Sequence, residues 1–487
     1  MQSNRSFKVI VVAIGNGINI LINFLTLPYL VRSLSFDDYG TYGQVLMIVT
    51  ILQGFFTFNL NQIANIYFAN DEHNPKVVFS TIAKFSLGMS LVSCIVMFAS
   101  IPVVGSAFDN DLLFKLLSFS VLNLFAQVIA PILISVLIFF NRVQNTVAIL
   151  VSTNILKVAS MFYSIHFMHS LEALMIGLSI VSLIQLIAFL TQVPKEVLSF
   201  SYFDKSLAKN MFVMASPLAI SSLIEKSLIY LDGVMVSAML TTTAYAFYRA
   251  GAVEVPFVAG LYGSVTAIVM PEIAKLFSDN NLKEIIRLKR IAISGTIFFV
   301  YPVLIFLFFF AEPLVSAYLS KSYSASIVIF MIFNLSLLIR VNDYQDIIII
   351  SKNSKFIFRS VLFVSVLNLI LNYALITYFG INGAASAFII SLSSFALLLL
   401  WKSIKILDCS FYDLFDVLLI GKVVGLAAFL ATIIYSVNLL YFNSVWFIIF
   451  SAPIYFLFIL LGGFKFNLIP DSLANFLKNK FKVLNRI

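Results

Sequence analysis

The chain has 487 residues, of which 61% are hydrophobic and only 11% charged, and its mean hydropathy is +1.03. A water-soluble protein carries about 25% charged residues, because it must cover its surface with solvated groups; a surface that faces lipid is expected here, with little chain left over for soluble domains. A net charge of +9 would suit nucleic acid, but the basic residues fall in short connections between apolar runs, which is the signature of membrane orientation. No nucleic-acid partner is expected.

In chain order, apolar runs punctuated by polar, Gly or Pro residues predict helices at roughly 7–31, 41–67, 80–104, 112–140, 147–168, 172–193 and 210–238, then at roughly 242–270, 288–311, 324–350, 357–379, 382–405, 419–440 and 444–464. This is an all-α integral membrane protein of about 14 transmembrane helices. The first run follows Arg5 and Lys8 and lacks a small-residue cleavage site, so it is expected as a retained span. With the N-terminus inside, the inner connections collect Lys76, Lys84, Arg142, Lys195, Lys205, Lys209, Lys275, Lys283, Arg287, Lys289, Arg290, Lys352, Lys355, Arg359, Lys402, Lys405 and Lys422, while the outer ones hold only Arg32, Lys115 and Lys321. That bias predicts both termini in the cytoplasm. Cys94 and Cys409 form no CxxC pattern, so neither redox nor zinc chemistry is expected. His166 and His169 read as solvated interfacial residues rather than metal ligands.

A weak repeat joins the two halves at an offset of about 206 to 210 residues. The stretch from Ser35 to Tyr42 aligns with that from Thr241 to Tyr248, the turn from Asn141 to Asn145 with that from Ser351 to Lys355, and Leu171-Glu172-Ala173-Leu174 with Ile381-Asn382-Gly383-Ala384. An offset that spans six helices preserves orientation, so the repeats are parallel. The motifs Leu27-Pro28-Tyr29-Leu30-Val31-Arg32, Asp38-Tyr39-Gly40, Tyr230-Leu231-Asp232, Pro271 and Phe379-Gly380-Ile381-Asn382-Gly383-Ala384-Ala385 occur in an order that covers nearly the whole chain. In this the sequence resembles the multidrug/oligosaccharidyl-lipid/polysaccharide exporter superfamily, specifically its Wzx or RfbX-like O-antigen flippases. The resemblance implies two six-helix lobes with pseudo-two-fold symmetry around a central cavity, plus two C-terminal helices. It divides the chain into an N-lobe (1–200), a C-lobe (201–408) and a C-terminal pair with a basic tail (409–487).

Ionisable residues within spans are costly, and each is a functional candidate. They are Lys157, Glu225, Lys226, Asp232, Arg249, Glu254, Arg340, Asp343 and Asp346. In the first helix Asn16, Asn19, Asn23 and Thr26 form a helical stripe whose repeat mates are Ser222, Glu225, Ile229 and Asp232; the alternative for such a stripe is helix-to-helix hydrogen bonding. Lys157, Lys226, Arg249 and Arg340, with Asn19 and Asn23, are the candidates for holding phosphate and sugar in the lumen. Glu225, Asp232, Glu254, Asp343 and Asp346 are the candidates for ion coupling, against the alternative of static salt bridges. Asp232 and Arg249 fall in the same half of the membrane and could pair, and Arg340, Asp343 and Asp346 follow each other at i, i+3 and i+6 on one helix.

The resemblance implies transport of a polyprenyl-diphosphate-linked oligosaccharide across a bacterial inner membrane by alternating access, among membrane lipids and alongside a polysaccharide polymerase and a chain-length regulator. No resident cofactor is expected, and a coupling ion would be H+ or Na+. A membrane enzyme is disfavoured, because no sizeable loop and no phosphate-loop or Asp-x-Asp motif is present. A cation- or proton-coupled multidrug antiporter of the same superfamily remains the competing reading.

Overall fold

The computed structural model describes residues 2–69, 74–199, 201–253 and 255–469; for residues 2–10, 217, 218, 220–228, 256–264, 267 and 268 it describes the backbone alone. Among the described residues the regular structure is entirely helical, as a lipid-facing chain requires, because a helix satisfies its own backbone polar groups. The chain divides into two compact units, Met1–Arg249 and Ala250–Ile487.

The first unit contains α1 (Gln2–Ser33), α2 (Phe36–Phe56), α3 (Leu60–Ala69), α4 (Pro75–Ala107), α5 (Asp111–Phe119), α6 (Val121–Phe139), α7 (Val143–His166), α8 (Leu171–Thr191), α9 (Lys205–Met239) and most of α10 (Thr242–Gly251). The expected second span is two helices, because Phe58 and Asn59 both adopt positive φ between α2 and α3; the expected fourth is likewise split at Ser120 into α5 and α6. Polar residues turn inward and apolar ones outward: Gln44, Ser90 and Ser93 are fully buried, whereas Ile95 and Val103 are about two-thirds exposed. Along α4 the small residues Ser86, Ser90 and Ser93 let α6 approach, and Ser90 donates to the Phe125 carbonyl at 2.9 Å, the packing that lipid solvent favours over apolar seams.

The second unit contains α11 (Pro256–Ser278), α12 (Leu282–Phe309), α13 (Ala311–Tyr318), α14 (Ala325–Asn334), α15 (Asp346–Ile350), α16 (Ser354–Leu407), α17 (Phe411–Leu414), α18 (Val417–Val437) and α19 (Val445–Lys465). Its apolar core runs along α12 and includes Ile297, Phe298, Val423, Ala427 and Tyr455, so the C-terminal pair α18 and α19 is packed into this unit.

The 54 residues of α16 would make a straight rod of about 80 Å, far more than the ~30 Å hydrocarbon layer. It is instead a hairpin of two helices: Gly380 takes φ 56°, ψ −136°, a conformation open essentially to glycine alone, and Asn368 Nδ2 reaches Ser391 Oγ at 3.1 Å across the turn. Both expected spans, 357–379 and 382–405, are thereby accounted for.

The expected tenth span is broken: α14 tightens into a 3-10 turn over Leu335–Leu338, and residues 339–345 are not helical before α15. Asn342 and Asp343 compete with the helix by side-chain bonding, as when Asp343 Oδ1 accepts from Gln345 N at 3.0 Å. Ten helices among the described residues are long and apolar enough to cross a membrane, which makes this a multi-pass membrane protein without fixing fourteen as the count.

The repeat is visible in local structure. Ser35 caps α2 by accepting from Asp38 N at 3.1 Å, and Thr241 caps α10 by accepting from Ala244 N at 3.1 Å. Asn141 and Lys352 both take positive φ at equivalent points of the repeat, and so do His169 and Gly380. These last pairs are 211 residues apart, one more than the sequence alignment gave.

Candidate functional site

In the first unit, Asn19 and Asn23 of α1, Gln53 of α2, Gln127 of α6, Asn154 and Lys157 of α7 and Gln185 of α8 line one cavity of about 300 Å³. Pro131, also in its wall, explains part of the arrangement. A proline has no N–H, so the carbonyl four residues earlier loses its helical partner. That carbonyl is Gln127's, and Gln53 Nε2 donates to it at 3.3 Å, tying α2 to α6 at the cavity. Asn19, Asn154, Gln185 and Gln127 are anchored as well. Asn154 Nδ2 donates to Asn19 Oδ1 at 3.1 Å, Gln185 Nε2 to Thr153 Oγ1 at 2.7 Å, and Gln127 Nε2 to Asn123 Oδ1 at 2.7 Å, which also accepts from Ser182 at 2.8 Å. Such mutually fixed amides hold their orientation without solvent.

Lys157 is the cation of this cavity. It is half-buried, and none of the ion pairs among the described residues involves it; no Asp or Glu is among the lining residues. An amide-lined hollow with an unneutralised ammonium offers hydrogen bonds to hydroxyls and one charge-assisted bond to an anion. Of the expected lumen residues, Lys157, Asn19 and Asn23 are therefore brought together. Asn19 also makes the helix-to-helix bond that was the alternative for its stripe. Gln53, Gln127, Asn154 and Gln185 were missed: uncharged amides scattered over four helices carry no spacing signal, although Asn154 and Lys157 at i, i+3 share a face.

Arg249 lies elsewhere in the same unit. Its guanidinium sits among Tyr39, Tyr42 and Tyr245 and hydrogen-bonds Tyr245, while Asp232, 1% exposed, lies against Tyr248. Each of the two charged groups is thus set against tyrosines. Around them the repeated capping segments pack together. Thr243 donates to Asp37, its own repeat mate 206 residues earlier; Phe36 and Phe247 rings lie 4.9 Å apart; and Asn110 Nδ2 bridges Thr41 Oγ1 at 2.8 Å, Gln44 Oε1 at 2.9 Å and Thr242 Oγ1 at 3.4 Å. Gly40 permits the approach, since a Cβ there would lie 2.4 Å from the Thr242 carbonyl oxygen.

In the second unit the expected i, i+3, i+6 face of Arg340, Asp343 and Asp346 does not exist, because the helix is broken between them. Arg340 is half-buried after the 3-10 turn. Asp346 is buried and takes Lys289 Nζ at 2.6 and 2.8 Å, while the same ammonium donates to the Asp343 carbonyl at 3.0 Å. Lys289 was expected in an inner connection as an orientation signal; at 3% exposure it is instead a structural ion-pair partner in α12. The Glu225, Lys226 and Glu254 side chains lie outside the described residues.

The model of a family described as polysaccharide biosynthesis protein matches residues 29–328. The chain is similar to a capsular polysaccharide biosynthesis protein, CapF, of Staphylococcus aureus, at 24% identity over 67% of this chain and 80% of that one. It is similar at the same 24% identity to a putative O-antigen transporter of Escherichia coli strain K12, over 78% of this chain and 91% of the relative. Its fold is that of the lipid II flippase MurJ in an inward closed conformation, with a TM-score of 0.73 at 18% identity over 95% of this chain and 99% of that one. The chain belongs to the polysaccharide biosynthesis protein family.

Proposed function

We propose that this protein is a flippase that moves a lipid-diphosphate-linked oligosaccharide from the cytoplasmic to the outer leaflet by alternating access. The O-antigen transporter relative and the MurJ fold support the cargo class, and the observation that carries the reading is Lys157, an intramembrane cation without a carboxylate partner among the described residues, set in a hollow of fixed amides. The ammonium meets a phosphoryl oxygen, the amides of Asn23, Gln53 and Asn154 exchange hydrogen bonds with sugar hydroxyls, and the lipid tail stays in the bilayer. Coupling to H+ or Na+ would run through Asp232, whereas Asp346 already holds the Lys289 ammonium as its counter-ion. The product, delivered on the far side, suits a polymerase and its chain-length regulator as downstream partners. A multidrug antiporter fits less well, because a cationic drug would meet a like charge and no acid among the described lining residues.

The test is translocation of a fluorescent lipid-diphosphate oligosaccharide in proteoliposomes, for wild type, Lys157→Arg and Lys157→Ala. Flipping kept by Arg and reduced on the order of tenfold or more by Ala supports the site, since a charge-assisted hydrogen bond contributes about 1.5–3 kcal/mol. No flipping by wild type, together with ion-driven efflux of small cations, would overturn the cargo assignment.

A further inference from the structure

The hairpin of α16 brings two basic segments together at its open end. Trp401 and Arg359 each lie 21 residues from Gly380 on opposite arms, about 32 Å of helix, which is one hydrocarbon thickness from the turn. The open end therefore stands at headgroup level. There Lys405 Nζ lies over the Trp401 ring at 3.9 Å from its centroid, Lys402 Nζ over Phe356 at 5.7 Å, and the Phe356 and Trp401 rings are 6.1 Å apart. Trp401 is half exposed, and Lys355 and Arg359 are exposed one helical turn apart on the facing arm.

Three of the acids around this cluster are committed elsewhere. Asp346 holds Lys289, Asp416 holds Arg290, and Asp413 closes a capping box with Ser410; Asp408, just past the end of the arm, makes none of the ion pairs among the described residues. Two lysines held by cation–π contact over an aromatic pair, beside Lys355 and Arg359, form a cationic ledge with an amphipathic floor. We infer that this ledge is a binding site for the headgroup of an anionic phospholipid of the basic-side leaflet, with its phosphate on Lys402 and Lys405 and its acyl chains along the exposed α16 surface of Phe358, Leu362 and Leu397. The chemistry is that of basic pockets at helix ends against acidic lipids. The inference uses the membrane-spanning character of α16 and not the identity of the cargo.

The experiment titrates purified protein with phosphatidylglycerol, phosphatidylcholine and a polyprenyl diphosphate, reading bound lipid by native mass spectrometry for wild type, Lys402→Ala/Lys405→Ala and a control Lys275→Ala/Lys283→Ala. The expected result is a preference for phosphatidylglycerol over phosphatidylcholine that the Lys402/Lys405 variant loses, each lysine accounting for roughly fivefold, and that the control keeps, with unchanged melting temperature in both. Equal phosphatidylglycerol binding by the Lys402/Lys405 variant and wild type would overturn the site. So would a ledge that binds polyprenyl diphosphate but shows no preference for phosphatidylglycerol, which would make it a cargo site.

Discussion

Removing Lys289 separates the two roles open to Asp346, ion carrier or structural counter-ion. In Lys289→Met the Asp346 carboxylate, 4% exposed, loses both bonds from the ammonium and keeps only that from Ile347 N at 2.6 Å. The Asp343 carbonyl loses its donor as well. Leaving one member of a buried pair uncompensated costs about 3–5 kcal/mol, which for a unit of this size corresponds to a fall in melting temperature on the order of 10 °C. Because the desolvation cost of the pair nearly offsets its attraction, replacing both, as Lys289→Met/Asp346→Leu, is expected to restore most of that stability. The assay is a thermal double-mutant cycle in detergent, followed by flipping measurements on the double variant. A counter-ion role predicts coupling of at least about 2 kcal/mol and a double variant that still flips. Independent, additive effects of the two substitutions would refute the pairing argument, and a stable double variant without transport would return Asp346 to ion coupling.

Three further outcomes follow from the same geometry. Gly380→Ala forces a Cβ into a glycine-only conformation and is expected to cost about 1–3 kcal/mol; cysteines at Asn368 and Ser391 should form a disulfide within one chain, and their failure to cross-link would remove the hairpin. Asn110→Ala deletes three bridging bonds around Thr41, Gln44 and Thr242, so labelling of Thr242→Cys by an impermeant thiol reagent should accelerate several-fold, and an unchanged rate would contradict the bridging role of Asn110. The Asp416 carboxyl is held below its ordinary range by the Leu419 N–H it caps and by Arg290. A depressed folded-state pKa adds stability that is complete above the unfolded value, about 3.9, and is lost as pH falls through the folded one. Asp416→Asn removes the charge at every pH and should therefore lower the melting temperature at neutral pH, converge on wild type as pH falls below about 4 and so flatten the acid limb; an unaltered acid limb would refute the assignment.

Composition and hydropathic runs alone determined that this chain lives in lipid, roughly where its helices lie and that its halves repeat, because burying backbone in hydrocarbon permits few solutions and the run lengths are set by bilayer thickness. The repeated segments that begin at Ser35 and Thr241, the break between spans at Gly380 and the polar stripe of first-helix asparagines were legible for the same reason: each is a local pattern of residue type. What only the tertiary structure decided is which polar groups meet. Gln53 finds the Gln127 carbonyl because Pro131, on another helix from Gln53, left it unpaired. Lys289 reads as a loop charge until packing buries it against Asp346, and Asp346 looks like a helix-face carboxylate until residues 339–345 leave the helix. Sequence periodicity reports the face of one helix; a cavity or an ion pair depends on how several helices are rotated and spaced, and that is fixed by the packing of small and apolar side chains between them.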